Sequence, residues 1–359
     1  MRAPGNKDAI LICGNEAIAE AAIRAGCQCY FGYPITPQNE LIAYMAERMP
    51  EEGRVFIQSE SELAAISMVL GAAALGARAM TSSSSPGISL KQEGISYMAG
   101  MELPAVIVNM VRGGPGLGNI GPAQSDYYQA VRGGGHGDYF TPVVAGATVQ
   151  EMADLTSLAF DLADRYRTPV MILGDGIQGQ MMEPVVFPPA SPLNRPLPDW
   201  VLDGACGRPP RLIRSLLLGS RVLENHNLKL QEKYRLIQNK EVRWQEEQTS
   251  DARVVLVAYG ICARLCRHVT RKMRRQGLKV GYFQPLTLWP FPSRRLAELA
   301  EGGEVSFLAV EMSFGQMVDD VRLAVCGRRP VSFFGRGGGE MLTVEEIEAF
   351  VLKSLSAQT

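Results

Sequence analysis

Three short stretches of this chain carry residue types that could do chemistry together. Tyr33-Pro34-Ile35-Thr36-Pro37 is a loop stiffened by two prolines, with Pro37 suited to the first helical position. Thr36 then falls at the N-cap. Its hydroxyl either caps that helix or presents a donor beside free backbone N–H groups, which together suit a carboxylate. Further along, Ser59-Glu60-Ser61-Glu62 reads as a capping box, with Ser59 as N-cap and Glu62 reaching back from the third helical position. Glu60 sits where strand becomes helix, so it is either an ordinary helix-start carboxylate or an acid–base group at a ligand-binding edge. Arg112 follows the apolar run AVIVNMV and precedes Gly113-Gly114-Pro115. There it is either a solvated charge or a bidentate grip on a carboxylate. Thr81–Ser85, five small polar residues before Pro86, leave room for a ligand or form only a turn, with Ser85 the expected N-cap.

Two phosphate-loop patterns lack their context. Gly116–Gly121 (GLGNIG) fits the dinucleotide fingerprint, but it is separated from its strand, and Pro122-Ala123-Gln124 follows where a helix should open. Gly174-Asp175-Gly176 follows the strand-like VMIL, as a magnesium-diphosphate turn would. Its downstream partner asparagines are missing apart from Asn194, so a tight turn is the better reading. The seven cysteines include no CxxC pair, which removes support for zinc-ribbon, thioredoxin or ferredoxin chemistry on this chain.

The elements that must position these residues alternate strand with helix. Apolar runs at Ala9–Cys13, Gln28–Gly32, Arg54–Gln58, Ala79–Ser82, Ala105–Val111, Pro142–Ala145 and Val170–Leu173 are separated by helical patterns at Glu16–Ala25, Gln38–Arg48, Glu60–Leu75, Gly87–Ala99 and Val149–Tyr166. That rhythm demands crossover connections and a mostly parallel sheet, with ligands at the carboxyl ends of its strands. A Pro-rich passage at Pro184–Pro210 follows. Leu223, Leu230, Ile237 and Trp244 then recur every seven residues, predicting a long amphipathic helix laid on a domain or a partner. Strand–helix alternation resumes after Asp251: Val254–Ala258, a helix from Cys262, Val280–Phe283, a helix near Arg295–Ala300, Phe307–Val310, helix Gln316–Val325 and a last helix from Thr343.

At 359 residues the chain accommodates two cores, and a formal net charge of −1 gives no electrostatic reason to expect nucleic acid or an anionic membrane as partner. No apolar stretch is long enough to span a bilayer, and MRAPGNKD lacks a signal-peptide core, so a soluble cytoplasmic protein is expected.

The combination YPITP, QSE, Thr81–Pro104, VRGGPG at Val111–Gly116, GGGHGDY at Gly133–Tyr139, PLTLWPFP at Pro285–Pro292 and Val310–Val325 resembles the α subunit of the multi-subunit 2-oxoacid:ferredoxin oxidoreductases. The wording TSSSSPGISLKQEG with RGGPGLGNIGPAQSDY looks closest to the 3-methyl-2-oxobutanoate (2-oxoisovalerate) branch, whereas 2-oxoglutarate relatives tend to read GPSTG in place of GPGLG. The resemblance implies an α/β fold: a thiamine-diphosphate-type pyrimidine-binding domain with a parallel sheet over 1–190, a linker and long helix over 191–250, and a smaller transketolase-C-terminal-like domain over 251–359. It implies that thiamine diphosphate is shared with a β subunit that holds its Mg2+ and diphosphate. It also implies that the iron–sulfur clusters lie on a ferredoxin-like subunit, in a hetero-oligomer of α–β pairs. By position, Glu60 matches the glutamate that hydrogen-bonds N1′ of the aminopyrimidine and promotes loss of the C2 proton. Thr36 and Arg112 match substrate-binding residues, and Tyr33, Pro34, Ile35, Ser84 and Ser85 line the cofactor. The implied reaction is CoA-dependent oxidative decarboxylation to an acyl-CoA and carbon dioxide, with reduction of ferredoxin. The same reaction on 2-oxoglutarate, pyruvate or indolepyruvate, or a non-catalytic assembly subunit of the same fold, are the alternatives. Gln284 and Ser313 stand where relatives commonly carry Arg and Asn, which puts polar contacts of the second domain with a partner or CoA in question. His136 either faces the site or is structural.

Overall fold

The computed structural model describes residues 8–193 and 196–356, so Asn194 lies outside the described residues. Seven strands form the first sheet, in spatial order Thr287–Trp289, Val143–Val144, Pro169–Asp175, Ala105–Val111, Ala79–Ser83, Cys29–Gly32 and Val55–Gln58. All neighbours are parallel except Thr287–Trp289, which runs antiparallel to Val143–Val144. Ala105–Val111 and Pro169–Asp175 are buried on both faces along their whole length, which is why they read as continuous apolar runs rather than alternating ones. A second sheet takes the order Val331–Gly335, Ser306–Glu311, Val254–Val257, Val280–Pro285 and Trp244–Glu247, the last antiparallel.

The expected strands and helices are present, with differences that have physical causes. Ile10–Cys13 does not join the main sheet. It pairs antiparallel with Met182–Val185 in a separate ribbon, where Ile12 and Val185 form a small core with Ala17, Ala21, Val149 and Ala153. Met182–Val185, Trp244–Glu247, Thr287–Trp289 and Val331–Gly335 carried no strand signal in the sequence; each is short and lies in the two-stranded ribbon or at a sheet edge. The seven-residue repeat overran its helix. Ser220–Lys240 is helical and buries Leu230, Tyr234 and Ile237, whereas Trp244 lies on the following strand. The helix stops because Glu241, its C-cap, is fixed by Tyr166, Arg165 and Arg243. An aromatic triangle of Phe140, Tyr234 and Trp289 holds this helix down, with Phe140 and Trp289 stacked at 4.9 Å.

The sheet's order reverses between Cys29–Gly32 and Ala79–Ser83: the chain goes from the first of these to the edge strand Val55–Gln58 and then back across to the other side. These two strands pair only at Cys29–Ala79 and Tyr30–Met80, so they part toward their carboxyl ends. A crevice at such a reversal is where open parallel sheets bind ligands.

Helices Glu62–Ala74 and Ser85–Met101 cover this region and approach closely through two glycines. A Cβ at Gly94 would lie 2.6 Å from Ile66 Cγ1, and one at Gly87 would lie 2.1 Å from Ser83 Oγ and 2.6 Å from Glu62 Oε1. Lys91, between those glycines, is 0% exposed, and its Nζ has no hydrogen-bond partner. Burial pushes its ammonium down to about 8 from 10.5, against the opposing pull of Glu62. Between those two pH values the unfolded chain binds the proton that the folded chain has released, so stability rises with pH across that window and the penalty is complete below it. Relative to a Lys91→Met variant, wild-type stability in urea unfolding is expected to gain about 3 kcal/mol between pH 8 and 10.5. Equal pH dependence of the two proteins would contradict a proton-shedding Lys91.

Candidate active site at the sheet's reversal point

Three loops meet at the parted strand ends. The first follows Gly32. Tyr33 and Pro34 are exposed, and Gln38 is buried, donating its backbone N–H to Ile35 O (3.1 Å) and its Nε2 to Tyr33 O (3.3 Å). That turn postpones the helix, which runs Asn39–Glu51 with Gln38 as N-cap. Thr36 is therefore not the N-cap and Pro37 not the first helical residue. Instead Thr36 Oγ1 accepts from Asn39 Nδ2 at 3.1 Å. Ser82 Oγ ties the loop to the next strand by donating to Gln38 Oε1 at 2.5 Å.

The second loop carries Glu60. Ser59 is not the N-cap, because its hydroxyl and its N–H are both spent on Gly32 O, at 3.1 and 2.9 Å. The helix instead starts two residues later, at Glu62, with Ser61 Oγ accepting from Ala64 N at 3.2 Å. The consequence for the two carboxylates is opposite. Glu62 is buried at the first helical position, while Glu60 precedes the cap and stands exposed at the sheet edge. Gly32 O is thus the joint from which Tyr33 and Glu60 both project.

The third group joins Ser84, Ser85 and Arg112. Ser84, rather than Ser85, is the N-cap of Ser85–Met101, and its Oγ is buried without a partner. Asn109, fully buried in Ala105–Val111, accepts from Ser85 N (3.1 Å) and donates Nδ2 to Asp126 (3.0 Å). Arg112 N donates to Ser85 Oγ at 3.1 Å. Burial raises the Asp126 carboxyl above its ordinary value, with Asn109 and Ser85 opposing that shift. The Arg112 guanidinium then spans to the first loop: Nη1 donates to Thr36 O and Nη2 to Leu117 O, both at 3.1 Å, while Nε is buried and unpartnered. Thr36 and Arg112, far apart in sequence, are brought into direct contact.

Other residues singled out from the sequence lie elsewhere. His136 is exposed and is held through its carbonyl by Ser96, while neighbouring Gly134 and Gly135 abut Gln92 and Ser96. That places its loop over the middle of Ser85–Met101, roughly 10 Å or more from the helix start. Gly116–Gly121 closes on itself, with Arg112 bridged antiparallel to Pro122, and no helix opens at its end. Asp175 is spent as a cap: Oδ1 accepts from Ile177 and Gln178 N–H groups, and Oδ2 from Ile261 N across the domain boundary. Its burial raises its carboxyl to about 6. No cluster of metal-ligating side chains occurs among the described residues. Gln284 and Ser313 are both buried and used internally, Gln284 by Tyr282 and Glu151, Ser313 by Glu311 and the Gly315 N–H.

Sequence reasoning missed the residues behind the site. Gln124 donates its backbone N–H to Met312 O, accepts from the Tyr259 hydroxyl at its carbonyl, and uses its side-chain amide on the same two residues, Nε2 donating to Tyr259 O and Oε1 accepting from Met312 N. Tyr127 OH and Arg132 both bond Asp320. This segment, which includes Asp126, clasps the second domain to the strand that precedes Arg112. A polar residue such as Asn109 interrupting AVIVNMV was the available signal, since an unpaired amide inside a parallel sheet is costly.

Residues 20–208 match the family model described as pyruvate flavodoxin/ferredoxin oxidoreductase, thiamine diP-bdg, and residues 252–347 match pyruvate:ferredoxin oxidoreductase core domain II. Ketoisovalerate oxidoreductase subunit VorB of Methanothermobacter marburgensis is 51% identical over 337 residues, covering 94% of this chain and 95% of that protein. 2-Oxoglutarate synthase subunit KorA of Methanothermobacter thermautotrophicus is 37% identical over 95% of this chain and 97% of its own. The solved 2-oxoglutarate:ferredoxin oxidoreductase of Magnetococcus marinus, with 2-oxoglutarate, coenzyme A and succinyl-CoA bound, superposes with a TM-score of 0.89 at 26% identity, covering 99% of this chain and 67% of that one. A split-gene transketolase shares the fold, with a TM-score of 0.59 at 14% identity and coverage of 96% of this chain and 98% of its own. The two matched family models and the relatives of 51% and 37% identity over nearly the whole chain show that it belongs to the 2-oxoacid:ferredoxin oxidoreductase family, as a subunit carrying its thiamine-diphosphate-binding domain.

Proposed function

We propose that this chain is the pyrimidine-binding half of the active site of a branched-chain 2-oxoacid:ferredoxin oxidoreductase, acting on 3-methyl-2-oxobutanoate with coenzyme A. The observation that carries this reading is the Arg112 guanidinium, fixed by Thr36 O and Leu117 O with its Nε left unpartnered beside the reversal-point crevice. The higher identity to VorB than to KorA supports the branched acid over 2-oxoglutarate.

The residues present fit the aminopyrimidine of thiamine. Glu60 offers an exposed carboxylate for a ring nitrogen, and Ser84 offers a buried hydroxyl with no partner of its own. When bound, thiamine diphosphate supplies the nucleophilic carbon and the electron sink for decarboxylation. Glu60 holds the proton shared with the ring nitrogen. Arg112 pairs with the substrate carboxylate, and Thr36 stands beside it toward the keto oxygen. Glu60 is exposed in this chain, so the water exclusion that such proton sharing needs comes from a covering partner. We assign that role to a β subunit that also holds the diphosphate and its Mg2+. A ferredoxin-like subunit carries the iron–sulfur clusters and passes electrons to ferredoxin in a cytoplasmic hetero-oligomer. None of the helices is long and apolar enough to cross a membrane among the described residues.

The natively purified complex is expected to reduce a low-potential viologen in a CoA-dependent reaction, faster with 3-methyl-2-oxobutanoate than with 2-oxoglutarate or pyruvate. A preference for another acid would overturn the substrate and keep the reaction. In the same assay Glu60→Gln should lower kcat by about 100-fold or more, with little change in KM. Arg112→Lys, which loses the planar fork, should raise the KM for the 2-oxoacid by about tenfold and leave the KM for CoA unmoved. Equal effects on both KM values would argue for a general loss of structure.

A further inference from the structure

Leu117 is 79% exposed and Ile120 67%, on a loop that is otherwise tightly fastened. Gly113 N donates to Gly121 O and Asn119 N to Gly113 O, both at 2.9 Å, and Asn119 Nδ2 reaches Gly338 O in the second domain at 2.8 Å. The turn beside Leu117 is close-packed and requires glycine: Gly118 has φ +57, and a Cβ there would lie 1.7 Å from Gly113 O. An isolated exposed leucine is ordinary on a protein surface. This one differs because its own carbonyl is one of the two that hold the Arg112 guanidinium.

In a 2-oxoacid the carboxylate and the variable side chain are attached to opposite sides of one carbonyl carbon. A carboxylate held by Arg112 therefore leaves the side chain close by, within reach of the residue that bonds the same guanidinium. We propose that Leu117, presented rigidly by the Gly113–Gly121 loop, is a specificity-determining residue that selects an apolar substrate side chain. The inference rests on the 2-oxoacid function proposed above. An aliphatic side chain gains by leaving water against Leu117, whereas the second carboxylate of 2-oxoglutarate would lose water there and find no donor from residue 117.

The test is steady-state viologen reduction by the intact complex carrying Leu117→Thr or Leu117→Met, with 3-methyl-2-oxobutanoate and pyruvate as substrates. Leu117→Thr is expected to lower the ratio of kcat/KM for the branched acid to that for pyruvate by about tenfold, the scale of one or two apolar contacts. Leu117→Met, which keeps the apolar surface, should restore most of that ratio. Parallel losses on both acids, or a ratio indifferent to residue 117 in an active complex, would overturn the proposal. A wild-type complex holding thiamine diphosphate that oxidises no 2-oxoacid would instead overturn the underlying function, and this assignment with it.

Discussion

Asn109 is a buried amide in an otherwise apolar strand, and its two hydrogen bonds set the geometry of everything at the sheet's open end. It takes Ser85 N on one side and gives to Asp126 on the other. Ser85, so fixed, accepts from Arg112 N, and Arg112 in turn reaches Thr36 O across the crevice. One side chain therefore links a helix start, a strand end, the loop after Gly32 and the segment that clasps the second domain. A buried amide with its partners satisfied is specific in a way that apolar packing is not, because any alternative register leaves a polar atom stranded.

The outcome is an edge that is preorganised and also incomplete. The guanidinium is held by two backbone carbonyls, and the Glu60 loop is anchored to Gly32 O, so neither must find its place when a ligand arrives. Yet Glu60, Tyr33 and Leu117 stand open to water, and a groove of about 700 Å³ between the Gly137–Phe140 loop and helix Ser220–Lys240 contains none of them. Burial inside this chain is instead spent on structural charges: Asp175 capping two helix starts, Glu311 taking the Gln316, Met317 and Val318 N–H groups, and Lys91 sealed between glycine-lined helices. That division suits a subunit whose reactive surface is finished by another chain.

The parallel sheet was legible because its central strands, Ala105–Val111 and Pro169–Asp175, are covered on both faces and so are apolar along the run, apart from Asn109 and the terminal Asp175. Several peripheral strands were not, since Trp244–Glu247 and Met182–Val185 owe their pairing to neighbours rather than to their own alternation. Helix starts went astray by one or two residues for a related reason. Ser59 and Thr36 have capping side chains, but tertiary partners, Gly32 O and the Gln38 turn, decide where each helix begins. That shift is what moves Glu60 off the helix and onto the open edge. The contact between Arg112 and Thr36 could be read only through the family's pattern; nothing in either local sequence points to the other.

We propose that Glu60 governs the proton of a thiamine bound across this edge. The most direct measurement is the rate of deuterium exchange at C2 of thiamine diphosphate in the assembled complex, wild type against Glu60→Ala, with bound cofactor quantified in both. Exchange is expected to slow by about 100-fold or more while the cofactor remains bound. Unchanged exchange in a Glu60→Ala complex that retains its thiamine would contradict it.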